Sequence, residues 1–257
     1  MDLGLKDRVA IVTGGSKGLG QAEAEALAAE GAAVIVATAK SVAEGERVAR
    51  EILGKGGRAI LVQADVCQAA DVQRLVDTTL KTFGRLDILV NNAGTTGPHL
   101  NKPLVEMPEE LWDFMIGNHL KSAFLCIKYA APHMISQGWG RIINTSSVHG
   151  RVGGRPSLGH YGAAKAGVVA LTMTAARELG PKGITANVIA PGFIGTETLR
   201  GILPAPTLEK LKQQIPLGRI GEPAEVGRVV AFLASDAASY LNGAVLDISG
   251  GRLEYFL

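Results

Sequence analysis

Short apolar runs alternate with helix-patterned segments from one end of this chain to the other. That alternation restricts the fold more than any single motif does. Strand-like runs occupy residues 9–13, 33–38, 58–63, 86–91, 141–145, 185–190 and 244–248. Helical patterning between them predicts helices at 21–30, 41–54, 71–83, 108–131, 161–179 and 223–234. Asp71 is read as the cap of the third helix, and Glu109 and Glu110 suit the positive start of the fourth. Strands and helices alternating in this way make an α/β fold, a parallel sheet with helices on both faces. Right-handed crossovers then wind the sheet both ways from its middle, giving about seven strands with ligands at their carboxyl ends. No linker, repeat or low-complexity stretch divides the chain. One domain over 1–257 is expected, with the Pro/Gly-bearing stretch 191–216 as a lid.

Composition narrows the function. At 257 residues, with 47% hydrophobic residues and 33 glycines, the chain can bury a large core and make many tight turns. A net charge of +2, no basic tract and only 5% aromatic residues argue against a nucleic-acid partner. Cys67 and Cys126 lie far apart without ligand spacing and are read as reduced, semi-buried thiols; no metal is expected. The first apolar run is too short and too interrupted for a signal peptide, and no later one is long enough to span a bilayer. A cytoplasmic protein is the expectation.

Two stretches carry chemistry. Thr13-Gly14-Gly15-Ser16-Lys17-Gly18-Leu19-Gly20 follows the first strand and opens the first helix. Glycines there permit a tight turn and let backbone N–H groups approach a pyrophosphate at the positive helix end. Any strand can be joined to a helix through glycine; the position at the start of a βαβ unit is what points to a dinucleotide. The spacing of Gly14, Gly18 and Gly20 is GxxxGxG, and no Gly-Lys-Ser/Thr follows, unlike a phosphate loop. The second stretch runs from Ser147 to Lys165. Tyr161 and Lys165 stand four residues apart, one above the other on a helix face. An ammonium beside a phenol is expected to lower the phenol from its usual pKa of about 10 and suit it to acid/base work. Ser147 offers a hydroxyl to a reacting carbonyl oxygen. Alone, YxxxK is a common exposed helix pattern.

Together, TGGSKGLG, Asn91-Asn92-Ala93-Gly94, Ser147…Tyr161-x-x-x-Lys165, Pro191-Gly192 and Asp247-Ile248-Ser249-Gly250-Gly251 resemble the short-chain dehydrogenase/reductase family over essentially the whole chain. The resemblance implies a Rossmann fold and a hydride-transferring oxidoreductase. It makes Tyr161 the acid/base. Lys165 lowers the tyrosine and holds the nicotinamide ribose, Ser147 rather than Ser146 orients the substrate, and Asn118 holds a relay water. Gly14, Ser16, Lys17, Gly18, Leu19 and Gly20 would take the pyrophosphate side of the cofactor. Asp65 and Val66 would meet the adenine, and Asn92, Ala93 and Gly94 the adenosine ribose. Pro191, Gly192, Ile194 and Thr196 would receive the nicotinamide carboxamide and pyrophosphate. It further implies a homotetramer in which the helices at 108–131 and 161–179 pair across two-fold axes.

Hydride transfer puts negative charge on an oxygen, so donors must point at it, while the cofactor supplies the hydride. The histidines His99, His119, His133, His149 and His160 are scattered, and a surface or supporting place is expected of them. His149 is singled out, with Arg155 and Phe193, as a substrate-contact candidate. The separation of Ser147 and Tyr161 is one residue longer than in many members, an extra residue assigned to the turn at 153–156. Asn242 stands where threonine is frequent, with no consequence visible in sequence.

The end of the second strand sets cofactor choice, because a carboxylate there accepts from a free 2′-hydroxyl. Here it is Thr38, followed by Ala39 and Lys40, with Lys17 also in reach. NADP(H) is therefore expected over NAD(H). The substrate is expected to be a small or mid-sized ketone or secondary alcohol. A 3-oxoacyl thioester of the acyl carrier protein is the alternative, weakened by the uncharged stretch Ser136-Gln137-Gly138-Trp139 although Lys182 is available. A cofactor-sensing protein without turnover is disfavoured by the intact Asn118, Ser147, Tyr161 and Lys165.

Overall fold

The computed structural model describes residues 2–95, 101–153 and 155–252. Its strands are β1 (Val9–Thr13), β2 (Ala33–Thr38), β3 (Arg58–Gln63), β4 (Ile88–Asn91), β5 (Gly140–Thr145), β6 (Ile184–Pro191) and β7 (Val245–Ile248). They form one parallel sheet in the order β3-β2-β1-β4-β5-β6-β7. Every residue of β1, β2, β4, β5 and β6 is buried, whereas the edge strands β3 and β7 are only partly covered. Strands sandwiched between two helical layers have no polar face, which is why they read as unbroken apolar runs.

One face carries α1 (Gly18–Ala29), α2 (Val42–Gly54) and α10 (Pro223–Ala234), packed through Leu27, Val48, Ile52, Val226 and Val230. The other carries α3 (Ala69–Phe83), α5 (Ser122–Gln137) and α7 (Gly159–Leu179), packed through Val72, Leu75, Met134 and Ala176. On the first face α10 lies directly on α1: a Cβ added to Gly227 would overlap the Ala22 carbonyl oxygen. Helix α10 starts with Pro223 and a capping box between Glu222 and Glu225.

Three expectations need correction. The third helix begins at Ala69 rather than at Asp71; Asp71 sits in its first turn, where its carboxylate accepts from the Asp65 N–H (2.8 Å). The helix expected at 108–131 is α4 (Glu109–Ile116), a π-helical turn (Gly117–Lys121) and α5, and it continues through Pro132. Buried Ala130, Ala131 and Met134 hold that last part against the sheet, so packing outweighs the missing proline N–H. The stretch 191–216 contains two helices, α8 (Glu197–Ile202) and α9 (Ala205–Gln213). A single turn, α6 (His149–Val152), follows β5, and Gly153 leaves it with φ 88°. Gly154, in the turn given the extra residue, and His99 lie outside the described residues.

Asn242 acquires a role. Its Oδ1 accepts from Ala186 N–H (3.0 Å) and its Nδ2 donates to the Ala176 carbonyl (2.9 Å), tying β6 to the end of α7. No helix among the described residues is long and apolar enough to cross a membrane.

Candidate active site

The order of strands leaves a crevice at the carboxyl ends of β1 and β4, where the chain winds away in opposite directions. Gly14 (φ +66°) and Gly18 (φ +56°) take left-handed backbone that a side chain would strain. Gly20 is small for another reason: a Cβ there would overlap the Gly14 carbonyl oxygen and come within 2.5 Å of Asn92 Nδ2. The start of α1 is thus pressed onto the turn, and its unpaired N–H groups open toward an anion. Thr13 Oγ1 accepts from the N–H groups of Asn92 (3.1 Å) and Ala93 (3.0 Å), pinning the turn after β4 to the end of β1. Asn91 Nδ2 donates to Asn144 Oδ1 (2.8 Å), whose own Nδ2 donates to Thr172 Oγ1 on α7 (2.8 Å). The cradle is one that a dinucleotide fits.

Around the adenosine end, Ser16 Oγ donates to Thr38 Oγ1 (3.2 Å), so the threonine at the end of β2 is held inward and buried. Lys40 is exposed and makes no ion pair among the described residues. Lys17 departs from expectation. Its ammonium pairs with Glu44 at 2.6 Å on the surface, so a carboxylate does stand in this neighbourhood, supplied by the first turn of α2. Asp65 Oδ1 accepts from Cys67 N–H (3.0 Å), and Val66 beside it is buried.

The two serines after β5 are separated by the fold. Ser146 Oγ donates to the Lys165 carbonyl (2.8 Å) and is structural. Ser147 stands close enough to Tyr161 to act on its phenol, and its Oγ accepts from His149 N–H (3.2 Å). Tyr161 and Lys165 share a face of α7, the lysine Nζ lying 5.9 Å from the tyrosine ring centre and donating to the Thr145 carbonyl (2.8 Å). Asn118 sits in the π turn, where its Nδ2 donates to the Thr95 carbonyl (2.6 Å). An extra residue in a helical turn re-aims side chains in this manner. Pro191 ends β6; Gly192 packs on Ser249, Ile194 is buried, and Thr196 caps α8 by accepting from Leu199 N–H (3.2 Å).

The protonation states run against one expectation. Burial pushes the Tyr161 phenol up, and Ser147 only partly offsets it. Lys165 is itself pushed down to about 8 by burial, against the attraction of Glu23. The phenol is therefore not lowered here, because the cost of burying its charged form exceeds what Ser147 returns.

Tyr161 makes edge-to-face contacts with two imidazoles, His119 at 5.4 Å and His149 at 5.7 Å between ring centres. His119 and His160 are buried rather than superficial. Gly94 makes room for His119, since a Cβ there would overlap the imidazole. Burial holds His119 well below the usual histidine range, and burial with Arg155 and Arg252 lowers His149 to about 4. Phe193 lies under the Arg252 guanidinium at 4.5 Å, and Arg155 is exposed at the rim. Sequence reading missed His119, Arg252, Glu44 and Glu23. Only the last left a trace, a carboxylate on the helix face that also carries Gly20 and Leu27.

The family described as enoyl-(acyl carrier protein) reductase matches residues 14–252. A 3-oxoacyl-[acyl-carrier-protein] reductase of Synechocystis sp. is 44% identical over 252 residues, covering 98% of this chain and 99% of that one. A cis-4-hydroxycyclohexanecarboxylate dehydrogenase of Sinomonas cyclohexanicum is 43% identical over 246 residues, 95% and 96% of the two chains. The solved structure of a 7α-hydroxysteroid dehydrogenase complexed with NADH and 7-oxo glycochenodeoxycholic acid superposes with a TM-score of 0.92 at 32% identity, over 97% of this chain and 96% of that one.

Proposed function

The chain belongs to the short-chain dehydrogenase/reductase family, and from that premise we propose that it interconverts a ketone and a secondary alcohol with NADP(H), Tyr161 handling the proton. As a member it is an oxidoreductase of CH–OH and C=O groups that uses a nicotinamide cofactor. The observation carrying the proposal is the meeting of Ser147, Tyr161 and Lys165 beside the glycine turn.

Gly14, Ser16, Gly18, Leu19 and Gly20 would hold the pyrophosphate, Asp65, Val66, Asn92, Ala93 and Gly94 the adenosine, and Pro191, Gly192, Ile194 and Thr196 the carboxamide side. The cofactor supplies the hydride. Ser147 donates to the substrate oxygen, and the Tyr161 hydroxyl passes a proton to or from that oxygen. Lys165, its Nζ anchored on the Thr145 carbonyl, has N–H groups left for the nicotinamide ribose. Asn118 orients a water at the relay's end. His149 and Phe193 line the substrate side, with Arg155 at the rim.

NADP(H) is favoured by the absence of a carboxylate at Thr38 and by the exposed cation of Lys40, which has no ion pair among the described residues. Because Glu44 already pairs with Lys17, the preference belongs at the lower part of a range of roughly 5- to 150-fold, the equivalent of about 1–3 kcal/mol. The test is kcat/KM for both cofactors at fixed ionic strength. Wild type should favour NADP, Glu44→Gln should widen the gap, and Thr38→Asp should reverse it. Equal values in the wild type would mean that backbone alone sets the choice.

A second reading, reduction of a 3-oxoacyl thioester, is favoured by the relative from Synechocystis. The relative from Sinomonas, as similar, favours a ring alcohol. A panel of ketones, cyclic keto acids and an acetoacetyl thioester, read by cofactor absorbance, separates the two. We read the protein as a cytoplasmic homotetramer, supported by the exposed apolar side chains of Trp112, Phe114, Phe124 and Met173 on α4, α5 and α7.

A further inference from the structure

The segments that follow β5, β6 and β7 are tied to one another beside the reacting groups. Val148 N–H donates to the Pro191 carbonyl (3.2 Å), and Gly192 N–H donates to the Ile248 carbonyl (3.0 Å). These bonds, with the pairing of the three strands, set His149, Phe193 and the turn at 249–252 side by side. Gly192 packs against Ser249, whose carbonyl accepts from Arg252 N–H (3.2 Å). The segment after α9 joins the same turn, Leu217 N–H donating to the Gly250 carbonyl (3.1 Å). Arg252 is thereby laid on the Phe193 ring, its guanidinium carbon 4.5 Å from the ring centre, and its Nη2 donates to Gln214 Oε1 (2.7 Å). The aromatic face and the neutral amide orient this cation without cancelling its charge.

The charge reaches the site. His149, whose ring meets that of Tyr161 at 5.7 Å, is lowered to about 4 by its burial, by Arg155 and by Arg252. Among the described residues no carboxylate offsets the two cations at His149. Asp247, the acidic side chain near the end of β7, faces Arg151 instead (3.8 Å). A wall of positive potential beside the reacting oxygen raises the local concentration of anions.

We propose that the substrate carries a carboxylate besides its ketone or secondary alcohol, and that Arg252 binds it, with exposed Arg155 at the rim drawing the anion in. This rests on the reading of the crevice as a carbonyl-reducing site and narrows its substrates to oxo acids and hydroxy acids. A guanidinium offers paired N–H groups in the geometry of a carboxylate, and the resulting bonds are stronger than those of a neutral donor. Stacking on Phe193 orders the long side chain beforehand, so less entropy is lost when the anion arrives. Gripped by Ser147 and Tyr161 at the carbonyl and by Arg252 at the acid, such a molecule is held at both ends. A neutral ketone is held at one only.

The measurement compares 3-oxobutanoate, 4-oxopentanoate and 5-oxohexanoate with their methyl esters, close in shape but uncharged, in reduction assays at fixed ionic strength. In the wild type kcat/KM should favour at least one acid over its ester by roughly ten- to hundredfold, the range for charge-assisted hydrogen bonds, and added salt should shrink the margin. Arg252→Met keeps a stem over Phe193 and drops the charge. It should raise KM for that acid by most of the factor, while the ester loses no more than about threefold. Arg252→Lys should recover part of the loss; should the methionine variant not fold, the lysine variant's loss of the paired N–H groups should still cost the acid severalfold more than the ester. Esters used as well as every acid, or an acid used equally by wild type and variant, overturn the proposal. Pentanoate, which cannot be reduced, reads the anion site without turnover, by calorimetric titration of the cofactor-saturated protein. Binding that is lost in Arg252→Met supports the site, and no binding to the wild type overturns it. Turnover of neither acids nor esters would remove the carbonyl-reducing reading, and the pentanoate titration would still decide the anion site.

Discussion

The Tyr161 ring, with its two edge-to-face contacts to His119 and His149, is kept whole when only the hydroxyl is removed. Tyr161→Phe should therefore retain cofactor affinity, measured by fluorescence titration, while turnover falls more than about tenfold. A larger residual rate would assign the proton to another group. Glu23 affects the stability of the fold. With its carboxyl raised from the ordinary 4.5 to about 8, the folded state binds a proton that the unfolded chain gives up between those values. The stability it contributes is whole below pH 4.5 and is lost as pH rises through about 8, a loss on the order of 3 to 5 kcal/mol if the site acts alone. Calorimetry from pH 5 to 8 should find Glu23→Leu gaining on the wild type steadily; parallel curves would mean the carboxyl ionises freely in the fold. The pairing of Tyr161 with Lys165 was legible because i and i+4 on a helix are neighbours by geometry alone. That Lys17 meets Glu44, or that His119 turns toward Tyr161, depends on how separate elements dock, and nothing in local spacing records it.

At the scale of elements, α1 and α10 approach so closely at Gly227 that the contact is backbone on backbone. Gly227→Ala would force the helices apart at the Ala22 carbonyl and should cost about 1–3 kcal/mol in denaturant unfolding. It should also weaken cofactor binding, since the first turn of α1 is the place we propose for the pyrophosphate. Unchanged stability would show that α10 slides aside freely. The strands were legible almost to the residue, because burial on both faces demands uninterrupted apolar side chains. Helix ends were less so. Asp71 looks like a cap, yet its carboxylate serves the Asp65 N–H from inside the helix. Pro132 looks like a stop, yet the helix runs on to Gln137. The π turn has no local signature: Gly117 and Asn118 would suit an α-helix poorly, but the wider turn is settled by packing of His119 under Gly94.

For the molecule as a whole, the expectation of four copies rests on the family resemblance, and the apolar side chains left exposed on α4, α5 and α7 support a contact between copies. Trp112, Phe114 and Phe124 are 38%, 44% and 46% exposed, large apolar side chains left to water. Light scattering at micromolar concentration should give about four chain masses, and Phe124→Glu, placing a charge in an isologous contact, should lower that number. A monomer in the wild type would sink the assignment.

The contact between α1 and α10 also has a bearing on how the chain is made. Helix α1 ends at Ala29, whereas α10 begins only at Pro223, so the first is synthesised long before the second. At about 5–20 residues per second, the groove on α1 that will receive α10 waits on the order of 10 to 40 seconds for its cover. During that interval Ala22, Ala26 and the neighbouring apolar side chains of the first layer are open to whatever binds nascent apolar surface. Chains arrested before residue 223 should therefore remain protease-sensitive at α1, and chains released after residue 234 should not.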